Sequence, residues 1–117
     1  MKKIEYSPIC SVEELPPGER LFLEVNGLSI VIINHEGDFY AIADECTHDE
    51  GPVGEGEIEG HQIICPRHGA RFDIRTGEVL ALPATGDIPS YPVRIKDGKL
   101  KLGLKDKLLK QIKKRLM

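Results

Sequence analysis

The run Arg20-Leu21-Phe22-Leu23-Glu24-Val25-Asn26-Gly27-Leu28-Ser29-Ile30-Val31-Ile32-Ile33-Asn34 decides the fold, because it reads as two strands, 20–25 and 28–34, around a two-residue turn. Asn-Gly is the strongest short hairpin signal, since both residues tolerate the positive φ that such a turn needs. A third strand is expected over 38–43, after a second turn at Glu36-Gly37. Towards the N-terminus, Ile4-Glu5-Tyr6 alternates as a short edge strand, Ser11-Val12-Glu13-Glu14 has the Ser-x-x-Glu form that opens a helical turn, and Pro16-Pro17-Gly18 breaks the chain. Past Pro89 the pattern returns as a hairpin, 91–96 and 99–104, around Asp97-Gly98.

Between these frameworks the pattern changes. From Asp44 to Pro83 the apolar runs shrink to three or four residues, and glycines recur at 51, 54, 56, 60, 69 and 77. A long stretch of this kind persists in a compact domain when something else organises it, so it reads as a functional insertion. At the C-terminus, Leu108, Leu109, Ile112 and Leu116 fall on one helical face with Lys107, Lys110, Lys113, Lys114 and Arg115 around it. That spacing predicts a short amphipathic helix over 106–117, with Asp106 as its N-cap.

The 117 residues suffice for one domain and leave no room for a separate catalytic one. Apolar residues at 40%, charged at 30%, 12 Gly and 8 Pro point to a globular, turn-rich chain of many short strands. No apolar run follows Met1-Lys2-Lys3, and Ile30-Val31-Ile32-Ile33 is too short to span a bilayer, so a cytoplasmic protein is expected. The tail 105–117 holds six Lys/Arg and one Asp, net +5, which leaves ten Lys/Arg and eighteen Asp/Glu, net −8, in 1–104. An acidic body is a poor match for a nucleic acid, and a protein partner is the better expectation. The tail would pack on its own domain or a second subunit, lie on an anionic membrane surface, or bind a redox partner.

Three cysteines are too few for a secreted disulfide framework, and two stand beside histidines. Cys46-Thr47-His48 is followed, after sixteen residues, by Cys65-Pro66-Arg67-His68. Each limb offers a thiolate and an imidazole, and two limbs make a four-ligand pocket. Zinc is one candidate, although zinc fingers usually pair like with like on each limb. Cys10 reads as a small buried hydrophobe, and His35 and His61 as ordinary surface residues.

The ligand spacing, with Cys65-Pro66-Arg67-His68-Gly69-Ala70-Arg71-Phe72-Asp73 around its second limb, resembles the cluster loops of Rieske proteins. The resemblance runs over about residues 4–104 in element order. It implies an all-β fold: an antiparallel sandwich or barrel base, 1–43 and 85–104, carrying an inserted cluster-binding subdomain over about 44–84, with Pro83 in a loop that shields the cluster. It further implies one [2Fe–2S] cluster, with Cys46 and Cys65 on one iron and His48 and His68 on the other, the electron going to the histidine-bound iron.

Two departures from the high-potential members bear on redox behaviour. Those members carry an extra disulfide-forming cysteine in each loop, where this chain has Glu50 or Gly51 and Arg67. They also place a serine and a tyrosine where this chain has Ala70 and Phe72, removing two hydroxyl hydrogen bonds to cluster sulfurs. The expected potential is therefore low, about −150 mV. The role implied is a soluble one-electron carrier between a reductase and a terminal oxygenase or reductase, with no reaction of its own. The alternatives are a non-catalytic small subunit of a larger reductase of the nitrite reductase type and a structural zinc domain. Seven acids, Asp44, Glu45, Asp49, Glu50, Glu55, Glu57 and Glu59, would form a rim that steers a basic partner surface to the cluster.

Overall fold

The computed structural model describes residues 4–25, 27–46, 51–105 and 112–116. In chain order its strands are β1 (Ile4–Ser11), β2 (Arg20–Val25), β3 (Leu28–His35), β4 (Asp38–Ala43), β5 (Ile58–Glu59), β6 (Gln62–Ile64), β7 (Arg71–Asp73), β8 (Val79–Ala81), β9 (Ser90–Tyr91), β10 (Val93–Lys96), β11 (Lys99–Lys105) and β12 (Ile112–Leu116). They form three antiparallel sheets, ordered β1-β11-β10, β12-β2-β3-β4-β9 and β5-β6-β7-β8.

The unbroken apolar run of β3 follows from its place in this arrangement. Ile30 and Ile32 pack with Leu21, Leu23 and Val25 of β2 and with Leu100, Leu102 and Leu104 of β11. Val31 and Ile33 face the other way, into a core shared with Ile63, Phe72 and Ile74 of the insertion. A strand with a solvated face alternates; one covered on both faces has no reason to. Each buried isoleucine contributes about 2 kcal/mol.

The turns expected at Glu36-Gly37 and Asp97-Gly98 are present, and β2 pairs with β3 up to Val25↔Leu28, with Asn26 of the expected Asn26-Gly27 turn outside the described residues. Glu36 and Gly37 take φ of 55° and 98°, and Asp97 and Gly98 take 53° and 73°, the paired positive values of a tight hairpin. Ser11 opens a 3-10 turn over Val12–Glu14, its hydroxyl donating to Glu14 Oε1 at 3.1 Å.

Three readings need correction. β1 runs well past Tyr6 to Ser11, with an irregularity between Pro8 and Cys10, because an edge strand can carry a residue without an N–H. The 91–96 run is two strands: β9 pairs with β4, whereas β10 pairs with β11 in another sheet. Pro92 stands at that corner, its carbonyl accepting the Gly103 N–H at 2.9 Å. The expected helix over 106–117 is contradicted at Ile112–Leu116, which pairs antiparallel with β2 from Ile112↔Val25 to Leu116↔Leu21. An open sheet edge offers a row of backbone donors and acceptors, and that pairing outweighs a local helical periodicity. Residues 106–111 and 117 lie outside the described residues.

The insertion lies between β4 and β9 and has a sheet of its own, with strands of two or three residues that no periodicity could reveal. No helix among the described residues is long and apolar enough to cross a membrane.

Candidate metal centre

The second limb is the turn of a hairpin. β6 ends beside Cys65 and β7 begins after Ala70; the Cys65 N–H donates to the Ala70 carbonyl at 2.7 Å and the Gly69 N–H to the Cys65 carbonyl at 3.0 Å. Gly69 takes φ of 76°, which closes the turn. Cys65 and Ala70 are buried at its base, while Pro66, Arg67, His68 and Gly69 are exposed.

Of the first limb, Cys46 is described, and the chain on either side of residues 47–50 is held from several directions. Cys46, fully buried, donates its N–H to the Gly51 carbonyl at 2.7 Å. Asp44 Oδ1 accepts from the amides of Val53 at 3.0 Å and Gly54 at 2.6 Å. A Cβ at residue 54 would stand 2.6 Å from Phe22 Cε1 and 2.8 Å from Asp44 Oδ1, so only glycine fits. From the base, Arg20 Nη1 donates to the carbonyls of Gly54 at 2.5 Å and Gly56 at 2.6 Å. Burial lowers the Arg20 pKa, with Glu55 opposing the shift.

Sequence reading missed Arg20 and Asp44 as anchors. The one visible signal for Arg20 was a cation opening a mostly apolar strand. We expect Arg20→Ala to leave two carbonyls without their donor and to lower unfolding stability by about 2 kcal/mol, read from urea midpoints of the holoprotein. A loss within about 0.5 kcal/mol would mean that water replaces the guanidinium at no cost.

Cys46 and Cys65 belong to one buried cluster with Val53, Ala70, Phe72, Ala84 and Ile88. His68 is exposed at the tip, and His48 lies outside the described residues. Among the described residues no three His, Cys, Asp or Glu side chains gather at a metal-binding point. Two buried thiol-bearing residues beneath an exposed histidine suit a two-metal group with one end in the core and the other at the surface.

The remaining candidates lie elsewhere. His35 and His61 are half-buried and meet edge to face at 4.9 Å, with Tyr40 at 6.2 Å from His61. They are therefore packed rather than ordinary surface residues, at the end of the inserted sheet away from Cys65. There too Asp73 accepts from Arg75 Nε at 3.0 Å and Nη2 at 2.9 Å, and these bonds hold its carboxyl below the usual carboxylate range. Cys10 packs partly buried against the base core. Asp44 is turned to backbone amides and Glu59 pairs with Arg71 at 3.2 Å, so the acids that remain exposed and unclaimed by these contacts are Glu45, Glu55 and Glu57 among the described residues. Glu55 and Glu57 line a cavity of about 430 Å³ with Cys65, Pro66 and Gly69.

Residues 5–92 match the family model of the Rieske [2Fe-2S] domain. The chain is 40% identical over 93 residues to the 3-phenylpropionate/cinnamic acid dioxygenase ferredoxin subunit of Photorhabdus laumondii, covering 79% of this chain and 88% of that protein. It is 37% identical to the biphenyl dioxygenase ferredoxin subunit of a Pseudomonas species, covering 77% and 84%. Among solved structures, one described as the complex of reduced oxygenase and oxidized ferredoxin in carbazole 1,9a-dioxygenase matches with a TM-score of 0.79 at 28% identity, over 88% of this chain and 96% of that one. The chain belongs to the Rieske [2Fe–2S] domain family. Its cofactor is one [2Fe–2S] cluster, and it carries electrons rather than catalysing a reaction.

Proposed function

We propose that Cys46 and Cys65 bind one iron and His48 and His68 the other, and that the protein passes single electrons from a reductase to a terminal ring-hydroxylating oxygenase in the cytoplasm. The observation that carries this reading is the burial of both cysteines beneath a turn that leaves His68 exposed. The cluster supplies a one-electron couple whose potential is raised by neutral imidazoles in place of two thiolates. The chain supplies a dry floor for the cysteine side and a route out through the histidines. His48 enters through its Cys-x-His spacing. The oxygenase as acceptor is supported by the names of the relatives and by the ferredoxin–oxygenase complex among the structural neighbours. Glu55 and Glu57, exposed beside Cys65, suit a basic docking surface.

Electron paramagnetic resonance after dithionite reduction, with iron and zinc analysis, tests the ligand set. A rhombic signal with about two irons per chain is expected. A silent spectrum with one zinc would overturn the assignment.

The low potential has its own test. Ala70 and Phe72 are fully buried and bring no hydroxyl. In an Ala70→Ser, Phe72→Tyr variant each new hydroxyl would favour the more negative reduced cluster. At about 1 kcal/mol per bond, with 59 mV per tenfold for one electron, the potential should rise on the order of 50 mV per substitution. An unchanged potential in protein film voltammetry would mean that the hydroxyls do not reach the sulfurs.

A further inference from the structure

Arg67 stands in the exposed part of the second turn, yet its guanidinium reaches the first limb. Its Nη1 donates to the Pro52 carbonyl at 2.6 Å, fifteen positions away in sequence. A Cβ built on Gly51 would lie 2.7 Å from both Cζ and Nη2 of Arg67 and 3.0 Å from Nε. The guanidinium therefore occupies the space that a side chain at 51 would need. The Gly51 carbonyl in turn accepts the Cys46 N–H at 2.7 Å. Contact thus runs from the turn bearing Cys65 and His68, through Arg67, to the segment that fixes Cys46.

We infer that Arg67 is a positioning residue that clasps the two cluster loops together, and that residue 51 is glycine in order to admit it. The inference rests on the four-ligand reading above. Arginine suits this place because its planar, always-charged fork can lie on a peptide and donate beyond it, whereas an ammonium makes only a point contact. No covalent bridge joins the turns at these positions, since neither residue is a cysteine. Separation of the limbs, and with it cluster loss, then requires this contact to open.

The test measures bleaching of the cluster's visible absorption in excess ferrous chelator, together with the midpoint potential, for holoprotein with Arg67→Ala, Arg67→Lys, Gly51→Ala and the Gly51→Ala, Arg67→Ala pair. Arg67→Ala should bleach about tenfold faster than wild type. Arg67→Lys should bleach nearly as fast while keeping the wild-type potential, because it retains the charge without the fork. Gly51→Ala should also bleach faster, and the double variant no faster than Arg67→Ala alone, since both changes break one contact. Wild-type bleaching in Arg67→Ala, full rescue by lysine, or multiplying effects in the double variant would overturn the clasp. A wild-type protein without a cluster signal would remove both this inference and the ligand assignment.

Discussion

Cys65→Ala is expected to give protein with no cluster signal and less than about a tenth of the wild-type iron, while the turn itself survives. The two hydrogen bonds that shape the turn use the backbone of residue 65, through its N–H to Ala70 and its carbonyl from Gly69, and alanine keeps both. What is lost is a thiolate at a site 1% exposed, where water cannot substitute as a ligand without being buried itself. The same residue is part of the core that joins the insertion to β2, β3 and β4. Loss of the cluster should therefore also lower the thermal midpoint, because metal binding and folding of a loop-rich insertion are coupled. His68→Ala separates the two effects: it too should lose the cluster, but from an exposed position that leaves the core side chains in place. Retention of full iron by Cys65→Ala would exclude it as a ligand, whatever the activity.

How much of this was legible from residues alone depends on how far each interaction reaches. Glu36-Gly37 and Asp97-Gly98 announce turns because the conformational demand falls on those residues themselves. The hairpins follow from them, and the doubly covered β3 from its unbroken isoleucine and valine run. The spacing of the proposed ligands reads from the chain for a similar reason, since each Cys/His pair is local in sequence. By contrast Arg20 bonds carbonyls 34 and 36 positions away, and Asp44 bonds amides nine and ten positions away, and no local pattern encodes such partners. The inserted strands are too short to show a period, and the crossing at Pro92 splits one apolar run between two sheets. The C-terminal segment failed differently. Its helical periodicity was real, but the partner that decides its conformation is the backbone of β2.

Gly77→Ala is expected to lose about 4 kcal/mol of stability, out of a total typically between about 5 and 15. Gly77 takes φ of 81°, and a Cβ there would stand 1.9 Å from the Ile88 carbonyl oxygen. Its own carbonyl accepts the Ile88 N–H at 2.8 Å, and its N–H donates to the Asp73 carbonyl at 2.7 Å. The segment 82–88 is thereby pinned to the turn between β7 and β8, with no space for a methyl group between them. Relief requires Ile88 to move, and Ile88 packs with Ala84, Cys46 and Cys65 in one core. The left-handed conformation costs alanine about 1 kcal/mol, the disturbed hydrogen bonds about 1 kcal/mol each, and the displaced Ile88 the remainder. Gly60 provides the control within the same insertion: its φ is 60°, but nothing lies within 4 Å of a Cβ built there. Gly60→Ala should lose only the conformational term, about 1 kcal/mol. The difference between the two urea midpoints measures the close approach of 82–88 to the turn. Because that segment shares its core with both cysteines, Gly77→Ala should also bleach faster in chelator and Gly60→Ala should not. Equal losses in the two variants would mean that the segment shifts aside at little cost, leaving only the conformational term.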